Sequence, residues 1–242
     1  MIKKILSTLL VSSAFLVFAA TSSIADRPTF NIGYSATYGG YEASGTELEG
    51  KDSPQVSTSH TESAEIGYSS LFIEVSFADR VTVGASWMAD AVATEMSERT
   101  DSACTSLPAT RNYRCSVSGD SGVDTVTSSV KAEFENLITG YVELNIWNGL
   151  YAKYGIMEMD VNTKESLHTD SVYPNASMDG DTWGFGWKGS FDNGVFIKTE
   201  TMMQNWSTLK LEATGATGDD NNTSVTADLN GAVAQVSIGK AF

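Results

Sequence analysis

The chain has 242 residues, 30 of them acidic against 15 Lys and Arg, for a formal net charge of −15. So acidic a protein cannot hold nucleic acid by neutralising its phosphates, which supplies most of the affinity in such complexes, and no nucleic-acid partner is expected. The length suits a single domain, and after the N-terminus no segment approaches the ~20 consecutive apolar residues of a spanning helix.

In chain order, Lys3 and Lys4 precede an apolar run from Ile5 to Ala20, and Ser23-Ile24-Ala25 follows. A basic start, an apolar core and a small-x-small site read as a secretory signal peptide over residues 1–25. A membrane anchor is the alternative, but neither a stop-transfer pattern nor a basic flank follows. Removal would leave 26–242 and move the formal charge from −15 to −17, because Lys3 and Lys4 leave with the signal.

The remainder alternates with a period of two, the signature of extended chain with its faces in different media. The first expected strand is Phe30–Tyr41, with Phe30, Ile32, Tyr34 and Tyr38 on one face and Asn31, Gly33, Ser35 and Thr37 on the other. Further strands are expected at about 64–77, 81–93, 126–146, 150–161, 181–191, 195–206 and from Ser224 to the end. Long polar stretches (42–63, 94–125, 162–180 and 207–223) alternate with short turns at Ala78-Asp79-Arg80, Trp147-Asn148-Gly149 and Asp192-Asn193-Gly194. Three-residue hairpins at those turns pair Phe77 with Val81, Ile146 with Leu150 and Phe191 with Val195, so turn length and apolar phase agree.

In the last strand Ala232, Ala234, Val236, Ile238 and Phe242 share one face, and Gly231, Gln235, Ser237 and Gly239 the other. Apolar-out and polar-in alternation, short turns at one end and long connections at the other predict an all-β, eight-stranded antiparallel up-and-down transmembrane β-barrel. A soluble barrel such as a lipocalin would turn its apolar face inward, whereas the second faces here carry Glu, Lys, Ser and Gly.

This pattern resembles the small eight-stranded bacterial outer-membrane barrels, the OmpA transmembrane-domain, OmpX and opacity-protein group. The resemblance spans 26–242 and is one of pattern rather than of a diagnostic motif. It implies an outer-membrane location in a Gram-negative-type envelope, a monomer, and outer-membrane lipid and lipopolysaccharide as surroundings. It also implies that Val236, Ile238 and Phe242 form a C-terminal signal read by the barrel-assembly machinery. Lys240 departs from that pattern, although a lysine near the headgroups can snorkel.

The phase places Glu74, Asp90, Glu135, Glu143, Lys153, Lys188, Lys198 and Glu200 in the lumen as a charge network. Eight strands enclose a space that side chains nearly fill. The turn register sets Glu143 opposite Lys153, and Lys188 opposite Lys198, the latter unfavourable unless Glu200 or Glu74 lies between. Either a salt-bridge plug or a gated narrow pore for small solutes would use these residues.

The long connections hold roughly −10 of the charge. They form a solvated acidic surface, or one bridged to anionic lipid by divalent cations, and suit envelope structure, adhesion or contact with an extracellular ligand or phage. Gly218-Asp219-Asp220-Asn221-Asn222 supplies carboxylates but no EF-hand spacing, so no metal or other cofactor is expected. Cys104 and Cys115, both in the second connection, read as a disulfide in an exported chain; a redox pair would favour Cys-x-x-Cys. The only histidines, His60 and His168, sit among serines and acids as surface residues, so a non-catalytic protein is expected. A lipid-modifying enzyme would need one of them in hydrogen-bond reach of nucleophile and acid.

Overall fold

The computed structural model describes residues 28–49, 56–77, 80–88, 90–94, 97–104, 123–166, 172–214 and 224–242. The expected signal peptide lies outside these residues, as do Cys115, His168 and the acidic Gly218–Asn222 run.

Eleven strands follow in order: β1 (Thr29–Glu49), β2 (Val56–Phe77), β3 (Val81–Met88), β4 (Val92–Ala93), β5 (Ser97–Cys104), β6 (Val123–Trp147), β7 (Leu150–Ser166), β8 (Ala176–Ser190), β9 (Val195–Trp206), β10 (Leu209–Glu212) and β11 (Ser224–Ala241). Eight of them close a ring in the order β1-β2-β3-β6-β7-β8-β9-β11, with β11 pairing back onto β1 from Asn31↔Ala241 to Leu48↔Ser224. All neighbours are antiparallel; β4 and β5 add to β6, and β10 adds to β11.

The stagger can be read directly from the pairing. Stepping round the ring, Asn31 leads to Glu74, Gly84, Tyr141, Gly155, Thr182, Gln204, Gly231 and finally Tyr41. The circuit returns to β1 ten residues beyond its start. Ten residues at ~3.3 Å of rise against eight strands at ~4.8 Å spacing tilt the strands by about 40°.

The outer surface explains the medium. Phe30, Ile32, Tyr34 and Tyr38 on β1, Leu71 and Ile73 on β2, Ile138, Leu144 and Ile146 on β6, and Trp183, Phe185 and Trp187 on β8 are all exposed. From Phe30 to Tyr38 the belt runs about 26 Å along the strand, hence about 20 Å along the barrel axis at that tilt. That is close to the ~25 Å apolar band of outer-membrane barrels. A closed ring with this belt outside and polar groups inside is an outer-membrane β-barrel, and the protein resides in that membrane. Closure matters because each unpaired backbone group in hydrocarbon costs several kcal/mol.

Inside, five glycines sit directly opposite aromatic residues: Gly33↔Phe72, Gly84↔Tyr141, Gly186↔Tyr151, Gly231↔Tyr41 and Gly239↔Phe196. A Cβ on any of the five would lie 2.3–2.6 Å from the ring of an inward-facing aromatic neighbour. The rings fold flat over the bare backbone, which is how so narrow a bore accommodates them.

Four expectations change. The connection 42–63 is mostly strand: β1 and β2 stay paired up to Glu49↔Val56, so the polar Ser/Thr-rich segment rises above the membrane as an extended hairpin. Beyond the lipid, backbone pairing sustains a strand without an apolar face. The second connection likewise contributes β4, β5 and the start of β6. The turn after β6 has two residues rather than three, with Asn148 (φ 46°) and Gly149 (φ 83°) both left-handed, as a type I′ turn requires. A register shift between Asn145 and Trp147 absorbs the difference, so Glu143↔Lys153 still holds. The turns predicted at 78–80 and 192–194 keep Phe77↔Val81 and the Phe191–Val195 backbone bond (2.8 Å).

The fourth change concerns β6. A bulge lies between Glu135 and Ile138, with Asn136 at φ 54°. One extra residue reverses the inside-outside alternation beyond it. Phe134 and Ala132, which unbroken alternation with an inward Glu135 would turn to the lipid, instead pack against the core cluster within the lumen.

Candidate functional site in the lumen

Near the end that bears the short turns, β2, β6, β7 and β9 project charged side chains into one layer. Glu74, Glu143, Lys153, Lys198 and Glu200 are all buried, Glu74 and Lys198 to 1% exposure. Lys198 Nζ donates to Glu74 Oε1 at 2.6 Å and also to Glu143 Oε1. Lys153 Nζ donates to Glu200 Oε1 at 2.9 Å and lies 3.9 Å from Glu143 Oε1. The hairpin partner Glu143 is therefore the weaker contact of Lys153, and Glu200, one strand further round the wall, the stronger.

Strand β8 lies between Lys153 and Glu200, and there it presents Gly184 opposite Lys153 and Gly186 opposite Glu200. With no side chain in the way, lysine and carboxylate meet over bare backbone. The remaining valences are filled by neutral groups. Tyr141 Oη donates to Glu74 Oε1 (2.8 Å), Asn31 Nδ2 to Glu74 Oε2 (3.4 Å) and Gln235 Nε2 to Glu200 Oε2 (2.5 Å). Lys153 Nζ also stands 4.0 Å above the centre of the Tyr141 ring.

Lys188 is opposite Lys198, as the turn register requires. It is half-buried, with Nζ 4.2 Å over the Phe196 ring, while Glu74 takes up the charge of Lys198. Three carboxylates thus face three ammonium groups. A buried charge whose partner is removed costs about 3–5 kcal/mol, so such a layer persists only when balanced.

Two residues assigned to the lumen lie elsewhere. Asp90 is exposed beyond the end of β3 and accepts a hydrogen bond from Ser69 Oγ (3.1 Å). The alternation that places it inside does not continue past Met88, where the strand stops. Glu135 is put out of the lumen by the bulge, its neighbour Phe134 having taken the inward place. Conversely, Asn31, Tyr141 and Gln235 belong to the layer without standing out in the sequence. Their inward phase is legible there, but not the stagger that lifts them to its height.

Toward the long-stranded end the lumen changes character. Beside Lys153 and Gln204 there is a cavity of about 20 Å³, room for one water. Beyond it Met88, Leu137, Met157, Met159, Val161, Met178 and Trp206 are buried together. The interior is thus charged in one half and apolar in the other.

Outside, Lys131 Nζ donates to Glu133 Oε1 (3.2 Å), and Lys164 lies 3.7 Å from Glu133 Oε2. The Lys131 hydrogen bond, with the charges of both lysines, holds that carboxyl below its ordinary range. His60 lies exposed on the β2 arm. Among the described residues no group of His, Cys, Asp and Glu could hold a metal ion. Val236, Ile238 and Phe242, expected as an assembly signal, are all exposed, and the Phe242 amide donates to the Phe30 carbonyl (2.9 Å), tying this end of the chain to β1.

No protein-family model matches the chain, and no curated protein matches it in sequence. Among solved structures, it is similar to the outer membrane protein OprG from Pseudomonas aeruginosa at 12% identity and a TM-score of 0.48, over 88% of this chain and 95% of that one. The outer membrane protease OmpT from Escherichia coli aligns at 8% identity and a TM-score of 0.43, over 92% and 99%. Ail, the attachment invasion locus protein of Yersinia pestis, aligns at 11% identity and a TM-score of 0.32, over 84% and 98%.

Proposed function

We propose that the protein is a non-catalytic outer-membrane barrel whose lumen is sealed and whose working surface is its outer end. The reading rests on one observation: Lys198 crosses the bore from β9 to Glu74 on β2 and Glu143 on β6, and Lys153 reaches over β8 to Glu200, all of them buried. An ion crossing this layer would have to separate pairs that are already mutually satisfied, which argues against the narrow-porin alternative.

The outer end is where a role in envelope structure or surface contact would lie. The β1–β2 hairpin rises beyond the apolar belt with Glu42, Glu47, Glu62 and Glu65 along its strands. An acidic, extended arm of this kind suits an extracellular partner or a lipopolysaccharide surface bridged by cations. A Cys104–Cys115 disulfide would brace the neighbouring β5 arm, and closing a loop of that size contributes on the order of 3 kcal/mol.

Planar-bilayer recording of the refolded chain tests the sealed lumen. Silence is expected, for the parent and for Glu143→Ala alike. Discrete steps in the parent protein that change in Glu143→Ala would refute it and establish a pore.

A further inference from the structure

The apolar half of the lumen asks for an explanation that a sealed barrel does not supply. Four methionines, Met88, Met157, Met159 and Met178, meet there around Trp206. Methionine has three rotatable bonds and a polarisable sulfur, and it repacks around shapes that branched side chains would exclude. Trp206 stacks over Gly180, where a Cβ would lie 2.9 Å from its ring, and so is fixed from below. Its Nε1–H is buried with no hydrogen-bond partner among the described residues. A buried donor of this kind normally has an acceptor.

Beside this cluster the described strands leave the upper part of β2 unpaired on one side. Strand β2 pairs with β3 only from Phe77↔Val81 to Ser70↔Met88, and β4 and β5 pair with β6 instead. Among the described residues, the β2 edge from Val56 to Ser69 thus has no strand partner on that side. Across it, Ser69 Oγ donates to Asp90 Oδ2 at 3.1 Å. The gap begins at the height of Leu71 and Trp87, which face outward. Tyr68 and Val92, one on each side, pack against the methionine cluster.

We propose that the methionine-lined half of the lumen is a binding site for an apolar chain carrying a carbonyl oxygen. The chain enters from the membrane between β2 and β3–β4, and Trp206 Nε1 donates to its oxygen. Methionine side chains swing aside to admit the hydrocarbon, and the indole, held against Gly180, sets the depth of the polar atom. Two sources share this chemistry: the ester-linked acyl chain of a membrane lipid and a free hydrophobic molecule. The site is independent of whether the lumen conducts.

The indole N–H resonance of Trp206 reads the site directly. It is identified in a tryptophan-¹⁵N-labelled sample by its absence from Trp206→Phe. The labelled protein is placed in nanodiscs of diester and of diether phosphatidylcholine, the latter lacking lipid carbonyls, and each is titrated with 2-decanone and with n-decane. A resident lipid carbonyl places the proton downfield in diester discs only. A free ligand moves it downfield on saturable addition of 2-decanone, and n-decane produces no such shift. Either result supports the site. Trp206→Phe should then bind 2-decanone about tenfold more weakly, with methionine methyl shifts as readout, and n-decane unchanged. A Trp206 resonance that is identical in both lipids and unmoved by 2-decanone overturns the proposal.

Discussion

Lys198→Met removes the cation that is hydrogen-bonded to two buried carboxylates. Lys198 Nζ contacts both Glu74 and Glu143, and none of the three has appreciable contact with solvent. After the change, Glu143 keeps only Lys153 at 3.9 Å, a lysine already engaged by Glu200. Methionine matches the length of the lysine stem, so packing changes little and the loss is chiefly electrostatic. Removing one partner of a buried pair costs about 3–5 kcal/mol, and two acids lose a partner here, so the upper part of that range is expected. Tyr141 and Asn31 still donate to Glu74, which keeps the cost from doubling. Urea unfolding of the refolded barrel in lipid vesicles, followed by tryptophan fluorescence, measures it. With a slope of about 2 kcal/mol per molar, the midpoint falls by about 2 M. The triple variant Lys198→Met, Glu74→Gln, Glu143→Gln should recover more than half of the loss, because the uncompensated charges are then gone. A Lys198→Met midpoint within about 0.5 M of the parent, roughly 1 kcal/mol, would refute the claim that the layer is held by ion pairing.

Other changes probe separate features. Gly84→Ala places a Cβ 2.6 Å from the buried Tyr141 ring and should cost about 1–3 kcal/mol in the same assay. Gly40→Ala, which meets nothing within 4 Å, should stay within about 1 kcal/mol, and equal effects would count against the glycine–aromatic packing. Phe242→Ala alters a residue that is 73% exposed, so the refolded barrel should keep its stability while the level in the outer membrane falls in cells. Unchanged surface levels would remove Phe242 from the assembly signal. Glu133 has its carboxyl lowered on folding by Lys131 and Lys164, so its contribution to stability is full above the ordinary glutamate range and is lost as pH falls through the lowered value. Lys131→Ala should bring the Glu133 carboxyl ¹³C titration midpoint upward; no movement would dismiss the pair.

The inside-outside alternation, the membrane-facing belt and the register of the hairpins at 78–80 and 192–194 follow from the amino-acid sequence alone. Each depends on the period of two and on a turn a few residues away, which is why Lys188↔Lys198 appears as expected; Glu143↔Lys153 recurs because the register shift at Asn145–Trp147 offsets the shorter turn. Two residues depart from expectation where a local irregularity cannot be read from that period. The bulge at Asn136 turns Glu135 out of the lumen, and the end of β3 at Met88 leaves Asp90 in solvent. The polar arms read as loops because, once clear of lipid, a strand needs backbone partners rather than an apolar face. Only closure decides the rest. The ten-residue stagger sets the height of every side chain relative to strands on the far wall, and so brings Lys198 to Glu74 across 124 residues. It also lays Tyr141 over Gly84 and gathers the methionines into one half of the lumen. Those contacts are non-local, and no periodicity within a single strand encodes them.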